Sequence, residues 1–427
     1  MRTFFRGRYR YVVALLLFAA ATINYIDRQS ISIAERELTR EFALTPQEYG
    51  DILSWFFLAY AIGQIAMGWV VDRIGAKRGF TIAVACWSLA NMAHAWGIGV
   101  RSFSALRFAL GLFEAANYPA ALKAIAQWFP RAERSTAVGL VTAGVGFGAI
   151  VAGPFVAWLV ITTSWRGAFL LTGLLGLVWL IFWLLLYASP EMSPHVTVPE
   201  RRLILSDSED LSPGDGGRRS SLIDLLRRRE TWGLMLSRFV SDGAFYFFAT
   251  WLPKYLGDVR GLSLAQIGWM VSIPFIAADL GSVAGGFAGT ALIRRGLSID
   301  ASRKLLMWVG ALLVPVSLLA LRSESPVAAL LWIGVGMFGI QVKCASLFTV
   351  PADIFRARDI GLAWGLSGAA GSYGGSLFTP LVGYLVTNHS YEPVFWIVSI
   401  MHILSCVIVM VLLPRIGSVE PEGRVGT

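Results

Sequence analysis

The sequence predicts an all-α, multi-span membrane protein of twelve transmembrane helices in two six-helix halves. Three observations lead there: an apolar composition, apolar runs of bilayer length, and an internal repeat. Of 427 residues, 56% are hydrophobic and 15% charged, and the mean hydropathy is +0.63, too apolar for a soluble domain of this length. The apolar runs recur at the roughly 20 residues that cross a ~30 Å hydrocarbon core. They fall at 11–34, 49–71, 79–97, 102–123, 134–161, 167–187, 232–256, 266–292, 304–321, 326–349, 359–387 and 393–413.

Taken in order, Arg2, Arg6, Arg8 and Arg10 precede the first run and could be mistaken for the start of a signal peptide. That run reaches membrane-spanning length, holds Asp27-Arg28 and lacks a small-residue cleavage site, so it is expected to stay as the first span. Within it Asn24, Asp27 and Arg28 stand at i, i+3 and i+4, on one helix face. Span four repeats the theme in Arg107-Phe-Ala-Leu-Gly-Leu-Phe-Glu114, where nearly two turns bring Arg107, Gly111 and Glu114 onto one face. A charge at mid-bilayer costs roughly 2.5–3.5 kcal/mol, so two acid and arginine pairs inside apolar runs are functional candidates. The plainer alternative is that they are buried salt bridges that fix packing.

In span five, Gly144-Val-Gly-Phe-Gly148 invites comparison with a dinucleotide loop, but it follows no strand and suits close helix packing better. The stretch from Ala188 to Glu230 is rich in Ser, Pro, Gly and charge, especially Ser206 to Arg219, as flexible connections are. It ends in Ser221–Arg229, whose apolar stripe and arginine cluster suit a short helix on the cytoplasmic leaflet. The expected organisation is therefore 1–187, a linker over 188–230, and 231–427.

In the second half, Arg238 and Asp242 lie one turn apart, as either an interfacial pair or part of a cavity. Asp279 and Lys343 either pair with each other, or Lys343 meets an anionic substrate. Cys86, Cys344 and Cys406 lack ligand-type spacing and read as packing residues, suggesting neither disulfide nor metal. The four histidines are scattered and receive no role.

Charge sets the orientation. Of the 36 Lys and Arg, 24 fall in the termini and the loops near 72–78, 131–134, 188–230, 294–304 and 356–358, against seven on the other side. By the positive-inside rule both termini are cytoplasmic. The net charge of +9 is then topological, and nucleic-acid binding is an unneeded explanation.

A shift of 226 residues pairs Phe129 with Phe355, Gly139 with Gly365, Gly148 with Gly374 and Pro154 with Pro380, so spans five and six recur as eleven and twelve. A shift of 221 pairs Gly68, Arg73 and Gly75 with Gly289, Arg294 and Gly296. Duplicated halves are a common plan for transporters.

The loop Gly68-Trp-Val-Val-Asp72-Arg73-Ile-Gly75-Ala-Lys77-Arg78 resembles the signature loop of the major facilitator superfamily. Asn24-Tyr-x-Asp27-Arg28, Arg107-x3-Gly-x2-Glu114, Trp128-Phe-Pro-x2-Glu133-Arg134, Trp251-Leu-Pro-x-Tyr255-Leu and Phe348-Thr-Val-Pro351-Ala-Asp353-x-Phe355 narrow the likeness. Together they resemble its anion:cation symporters, in particular bacterial hexuronate and aldonate permeases, from about Tyr9 to Pro414.

That resemblance implies proton carriage at Asp27 and Glu114 and a substrate site lined by Tyr25, Arg28, Tyr60 and Arg107. Gln64, Asn117 and Tyr118 add groups suited to sugar hydroxyls, or serve only as cavity wall. Guanidinium groups suit this work because they offer planar, permanently charged, bidentate recognition of carboxylates. Burial disfavours a charged carboxylate and a neighbouring arginine favours it, so small rearrangements can switch its protonation. Asp72, Arg73 and Arg78 are gating candidates whose contacts form in one access state, or else topology determinants alone. Val145 is apolar where some similar sugar-acid permeases carry a polar residue, which weakens assignment to any single aldonate.

The expectation is a proton-coupled symporter of a sugar acid (hexuronate, aldonate or aldarate) or similar carboxylate. It needs no bound cofactor, acts as a monomer surrounded by lipid, and sits in the inner membrane of a bacterial cell. The alternative is an antiporter or exporter of the same fold. An enzyme would need a Ser/His/Asp, HExxH or P-loop arrangement that the sequence does not contain.

Overall fold

The computed structural model describes residues 8–206, 221–356 and 359–417, leaving aside the side chains of Asp72, Arg131, Ala132, Ser135, Leu205 and Ser206. The polar heart of the expected linker, 207–220, and Arg2 and Arg6 lie outside those residues. Among them every regular element is helical: α1 (Arg10–Phe42), α2 (Pro46–Ala93), α3 (Val100–Glu114), α4 (Asn117–Trp128), α5 (Arg131–Thr162), α6 (Trp165–Leu186), α7 (Val198–Ser206), α8 (Leu222–Leu226) and α9 (Arg229–Asp258). Then follow α10 (Leu264–Met270), α11 (Ser272–Arg294), α12 (Ile299–Leu313), α13 (Leu319–Arg322), α14 (Pro326–Leu347), α15 (Val350–Ile354), α16 (Ile360–Asn388) and α17 (Glu392–Leu412).

All twelve expected spans are helical, and among the described residues eight stretches are long and apolar enough to cross a membrane by themselves. The irregularities have local causes. Spans two and three run through α2 with one interruption, Gly75 at φ +84°, which glycine adopts without the penalty a side chain would carry. Span four breaks at Ala115-Ala116, four and three residues before Pro119, whose ring has no N–H and clashes with the carbonyl at i−4. Pro274 and Pro351 stand just after the breaks between α10 and α11 and between α14 and α15 in the same way. Thr45 and Glu48 form a reciprocal capping box at the start of α2, with Pro46 in its first turn.

The chain forms two compact units. One comprises the described residues of Met1–Gly217, Ala249–Phe275 and Ser376–Asn388. Within it the ends of α9 and α16 pack on α1 and α2: Lys254 Nζ lies 2.7 Å from Glu35 Oε1, both buried, and Tyr49 donates to the Thr250 carbonyl at 2.9 Å. Glycines let these helices meet, as where a Cβ on Gly50 would stand 2.5 Å from the Thr379 carbonyl oxygen. At the start of α1, Arg10 binds Glu133 of α5 at 2.8 Å and Glu200 of α7 at 3.2 Å, tying the first part of the linker to the helix ends.

The other unit comprises the described residues of Arg218–Phe248, Ile276–Gly375 and His389–Thr427. The expected helix after Ser221 is present as α8, capped by Ser221 and Asp224; its Leu225 is buried with Leu234, Met307 and Val350. The internal repeat is visible as packing. Gly148 of α5 faces the carbonyl of Thr22 on α1, and Gly374 of α16 faces that of Phe239 on α9 in the same manner. Gly139 and Gly365, also paired by the repeat, both face open space.

Candidate functional site

Buried charges of α1 and α3 in the first unit meet against Phe56 and Asn91 of α2. Arg107, Gly111 and Glu114 do share the buried face of α3, and Gly111 permits it, since a Cβ there would strike the carbonyl of Phe56 on α2. Asp27, Arg107 and Glu114 are fully buried. The ion pair, however, is crossed between helices. Arg28 of α1 donates through Nε and Nη2 to Glu114 Oε2, each at 3.1 Å, and Nη2 also reaches Asn24 Oδ1 at 3.5 Å.

Asp27 turns away from its neighbour Arg28. Its Oδ1 accepts from Asn91 Nδ2 of α2 at 2.8 Å, so the acid and arginine adjacent in sequence serve different neighbours. Arg107 has neither acid: Nε, Nη1 and Nη2 are all buried without a hydrogen-bond partner, and the guanidinium lies 4.3 Å from the ring centroid of Phe56. Glu114 Oε1 is likewise unpartnered.

Aromatic rings frame the two arginines. The guanidinium of Arg28 lies 4.6 Å from the centroid of Tyr60, 5.2 Å from Phe56 and 5.7 Å from Tyr25. Cation–π contact holds a guanidinium without using its hydrogens, which leaves the planar edge for an incoming acceptor. Tyr25 is buried, whereas Tyr60 and Gln64 are partly exposed. Asn117 is buried in the first turn of α4, just past the break that follows Glu114, and its Oδ1 has no partner. The arrangement offers two fixed positive groups, one of them unneutralised, and one carboxylate that competes for the other.

The remaining candidates lie apart from this cluster. Arg73 stacks 3.8 Å over Trp69 beside the Gly75 kink, and Arg78 is exposed; the side chain of Asp72 lies outside the described residues. In the second unit Arg238 and Asp242 are a buried ion pair at 2.9 Å, with Arg238 between Phe348 and Trp364. Lys343 does not reach Asp279. Its Nζ lies 2.6 Å from Ser405 Oγ and 3.5 Å from His402 Nδ1, so one histidine without an assigned role has a buried neighbour.

Sequence reasoning missed Phe56, Asn91 and Thr172. Phe56 was within reach, because it precedes Tyr60 and Gln64 at i, i+4 and i+8 on one stripe of α2. Asn91 was the faintest of signals, a single amide in an apolar span, and Thr172 of α6 carried none.

Comparison with known proteins bears on this arrangement. The family model of the Major Facilitator Superfamily matches residues 17–349 and 265–425. The hexuronate transporter of Escherichia coli (strain K12) is 30% identical over 420 residues, 97% of this chain and 96% of that one. The D-galactonate transporter of Escherichia coli O6:H1 is 28% identical, covering 98% of each. The galacturonate transporter of Dickeya chrysanthemi is 33% identical over 315 residues, 72% of this chain and 90% of that one. Among solved structures, the inward-open xylose transporter XylE from E. coli aligns with a TM-score of 0.74 at 17% identity, over 95% of this chain and 96% of that one. The common architecture is twelve spans in two halves of six, in a multi-pass membrane transport protein and not an enzyme.

Proposed function

Because the chain belongs to the Major Facilitator Superfamily, we propose that it carries a sugar acid (hexuronate, aldonate or aldarate) across the membrane together with protons, by alternating access. The names of the relatives support the substrate class. One observation in this chain carries the reading: Arg107, fully buried, has no hydrogen-bond partner for any guanidinium nitrogen. A permanently charged group taken out of water without an acceptor costs several kcal/mol (order of magnitude), and a carboxylate arriving in its plane removes that cost.

Coupling follows from the crossed pair. While Glu114 is ionised it holds Arg28 by two hydrogen bonds. A proton on Glu114 cancels that charge and frees Arg28 to join Arg107 in gripping the substrate carboxylate, so anion and proton favour each other. Asp27, one residue away but turned to other partners, serves as a second proton site. Tyr25, Tyr60, Gln64 and Asn117 supply rings and hydrogen bonds to the sugar hydroxyls. Asp72, Arg73 and Arg78 act in gating at the cytoplasmic end; the charge asymmetry supports a cytoplasmic position for both termini, and in a cell with two membranes the protein sits in the inner one.

Glu114→Gln mimics the permanently protonated state. In proteoliposomes, counterflow of labelled glucuronate or galactonate should persist, while accumulation driven by an inward proton gradient at fixed membrane potential is lost. Concentrative uptake that survives in this variant would move the coupling site elsewhere.

A further inference from the structure

In the second unit α17 carries a stripe of exposed apolar residues, Ile400, Leu404, Val407 and Val411, spaced to line one helix face. In a bilayer such a face meets acyl chains, so the carbonyls where it ends mark the edge of the hydrocarbon. Arg229, the first residue of α9, donates to one of them, the Val411 carbonyl. That bond holds a guanidinium at the hydrocarbon edge, and among the described residues it has no other acceptor. Beside it Trp232 donates its indole N–H to the Leu226 carbonyl at 2.8 Å, tying α8 to α9. Leu222, Ile223 and Trp232 are exposed although apolar, while Leu225 of the same short helix is buried.

The matching corner of the first unit is built differently. There Tyr9, before α1, donates to the Leu186 carbonyl at the end of α6 at 2.8 Å, His195 stacks on Tyr9, and Arg10 is neutralised by Glu133 and Glu200. In the second unit an arginine takes the place of the tyrosine. Arg228 turns to the ring of buried Phe355, 5.8 Å away, but Arg227 and Arg229 are exposed and, among the described residues, have no ion-pair partner. The acids at hand are otherwise placed: Asp224 accepts from the Ser221 N–H in the cap of α8, and Glu230 is half-buried in the first turn of α9. Just past α17, Lys304 donates to the Pro414 carbonyl at 2.7 Å and Arg415 is exposed, so the corner is positive.

We infer that the corner of α8, α9 and α17 binds one phospholipid with an anionic headgroup, its phosphate held by Arg227 and Arg229 and its acyl chains covering Leu222, Ile223 and Trp232. Each part matches a property of that ligand. Guanidinium groups pair with phosphate through two parallel hydrogen bonds, tryptophan settles at the boundary between headgroups and acyl chains, and a short apolar and basic helix lies in the plane of that boundary. Two arginines without counter-charges favour a lipid of net negative charge over a zwitterionic one. The inference does not depend on the carried substrate. The orientation proposed above decides only that the cytoplasmic leaflet supplies the lipid.

The test is native mass spectrometry of the full-length protein in detergent, titrated with phosphatidylglycerol or phosphatidylcholine and read as the apparent affinity for the first bound lipid. The wild type should retain phosphatidylglycerol in preference to phosphatidylcholine. Arg227→Gln should weaken the anionic lipid about 5-fold, and Arg227→Gln with Arg229→Gln about 25-fold, the scale of one basic residue each at an anionic surface. Ile223→Gln should weaken both lipids and leave the preference between them in place. Arg322→Gln, at an exposed arginine closing α13 on the opposite membrane face, should change nothing. Should the double variant fail to fold for want of the Val411 contact, Arg227→Gln alone decides. Unchanged affinity for phosphatidylglycerol in the arginine variants, equal binding of phosphatidylcholine by the wild type, or an equal loss in Arg322→Gln overturns the inference. So does displacement of the lipid by glycerol phosphate at the same concentration, which would show that the corner reads a free phosphate and not a membrane lipid.

Discussion

At the scale of single residues, Arg107 and Arg28 have unequal surroundings. Arg28 is neutralised by Glu114, whereas Arg107 rests on the face of Phe56 with its edge bare. A lysine at position 107 would keep the charge but lose both the planar fork and the stacking. Arg107→Lys should therefore weaken binding of a labelled hexuronate by about 10- to 100-fold, the range for losing one charge-assisted hydrogen bond, with yield in detergent near normal. Unchanged affinity would remove Arg107 from the site. The membership of this cluster was legible in the sequence, because helical spacing shows which residues of one helix share a face. The pairing was not. Spacing along α1 cannot reveal that Asp27 and Arg28, a rotation of roughly 100° apart, look toward α2 and α3 respectively, nor that Thr172 of α6 sits behind Asn91.

At the scale of helices, glycine and proline decide how near the buried charges come. A Cβ on Gly144 would lie 2.5 Å from the Phe18 carbonyl oxygen of α1, so Gly144→Ala forces α5 away from the helix that carries Asp27 and Arg28. It should cost about 1–3 kcal/mol, read as a melting midpoint several degrees lower in detergent. Gly139→Ala on the same helix, where nothing lies within 4 Å, is the control and should be neutral or slightly stabilising. Equal effects at the two positions would show that the close approach does not matter. The apolar runs located these helices because bilayer thickness sets their length, and the glycine repeat foreshadowed their packing. The break at Ala115-Ala116 was not anticipated, although Pro119 stood in the sequence, because an uninterrupted apolar run conceals a backbone interruption. That break makes Glu114 the last residue of α3 and puts Asn117, expected to bond sugar hydroxyls, in the first turn of α4.

At the scale of the whole molecule, the proposed mechanism joins two thermodynamic partners, anion and proton, at one carboxylate. Glu114 holds Arg28 by two hydrogen bonds, and in the proposed mechanism a proton on Glu114 releases the arginine to the carried anion. Linkage of this kind is reciprocal, so a gradient of the anion must move protons just as a gradient of protons moves the anion. The direct measurement uses proteoliposomes with a pH-sensitive dye in the lumen, no initial pH gradient and a clamped membrane potential, to which glucuronate, galactonate or galactarate is added outside. The lumen should acidify on addition of the carried anion, and the Glu114→Gln variant should show no such change. Alkalinisation would make the protein an exchanger of anion for proton, and entry of labelled anion with no change in lumen pH would contradict coupling altogether.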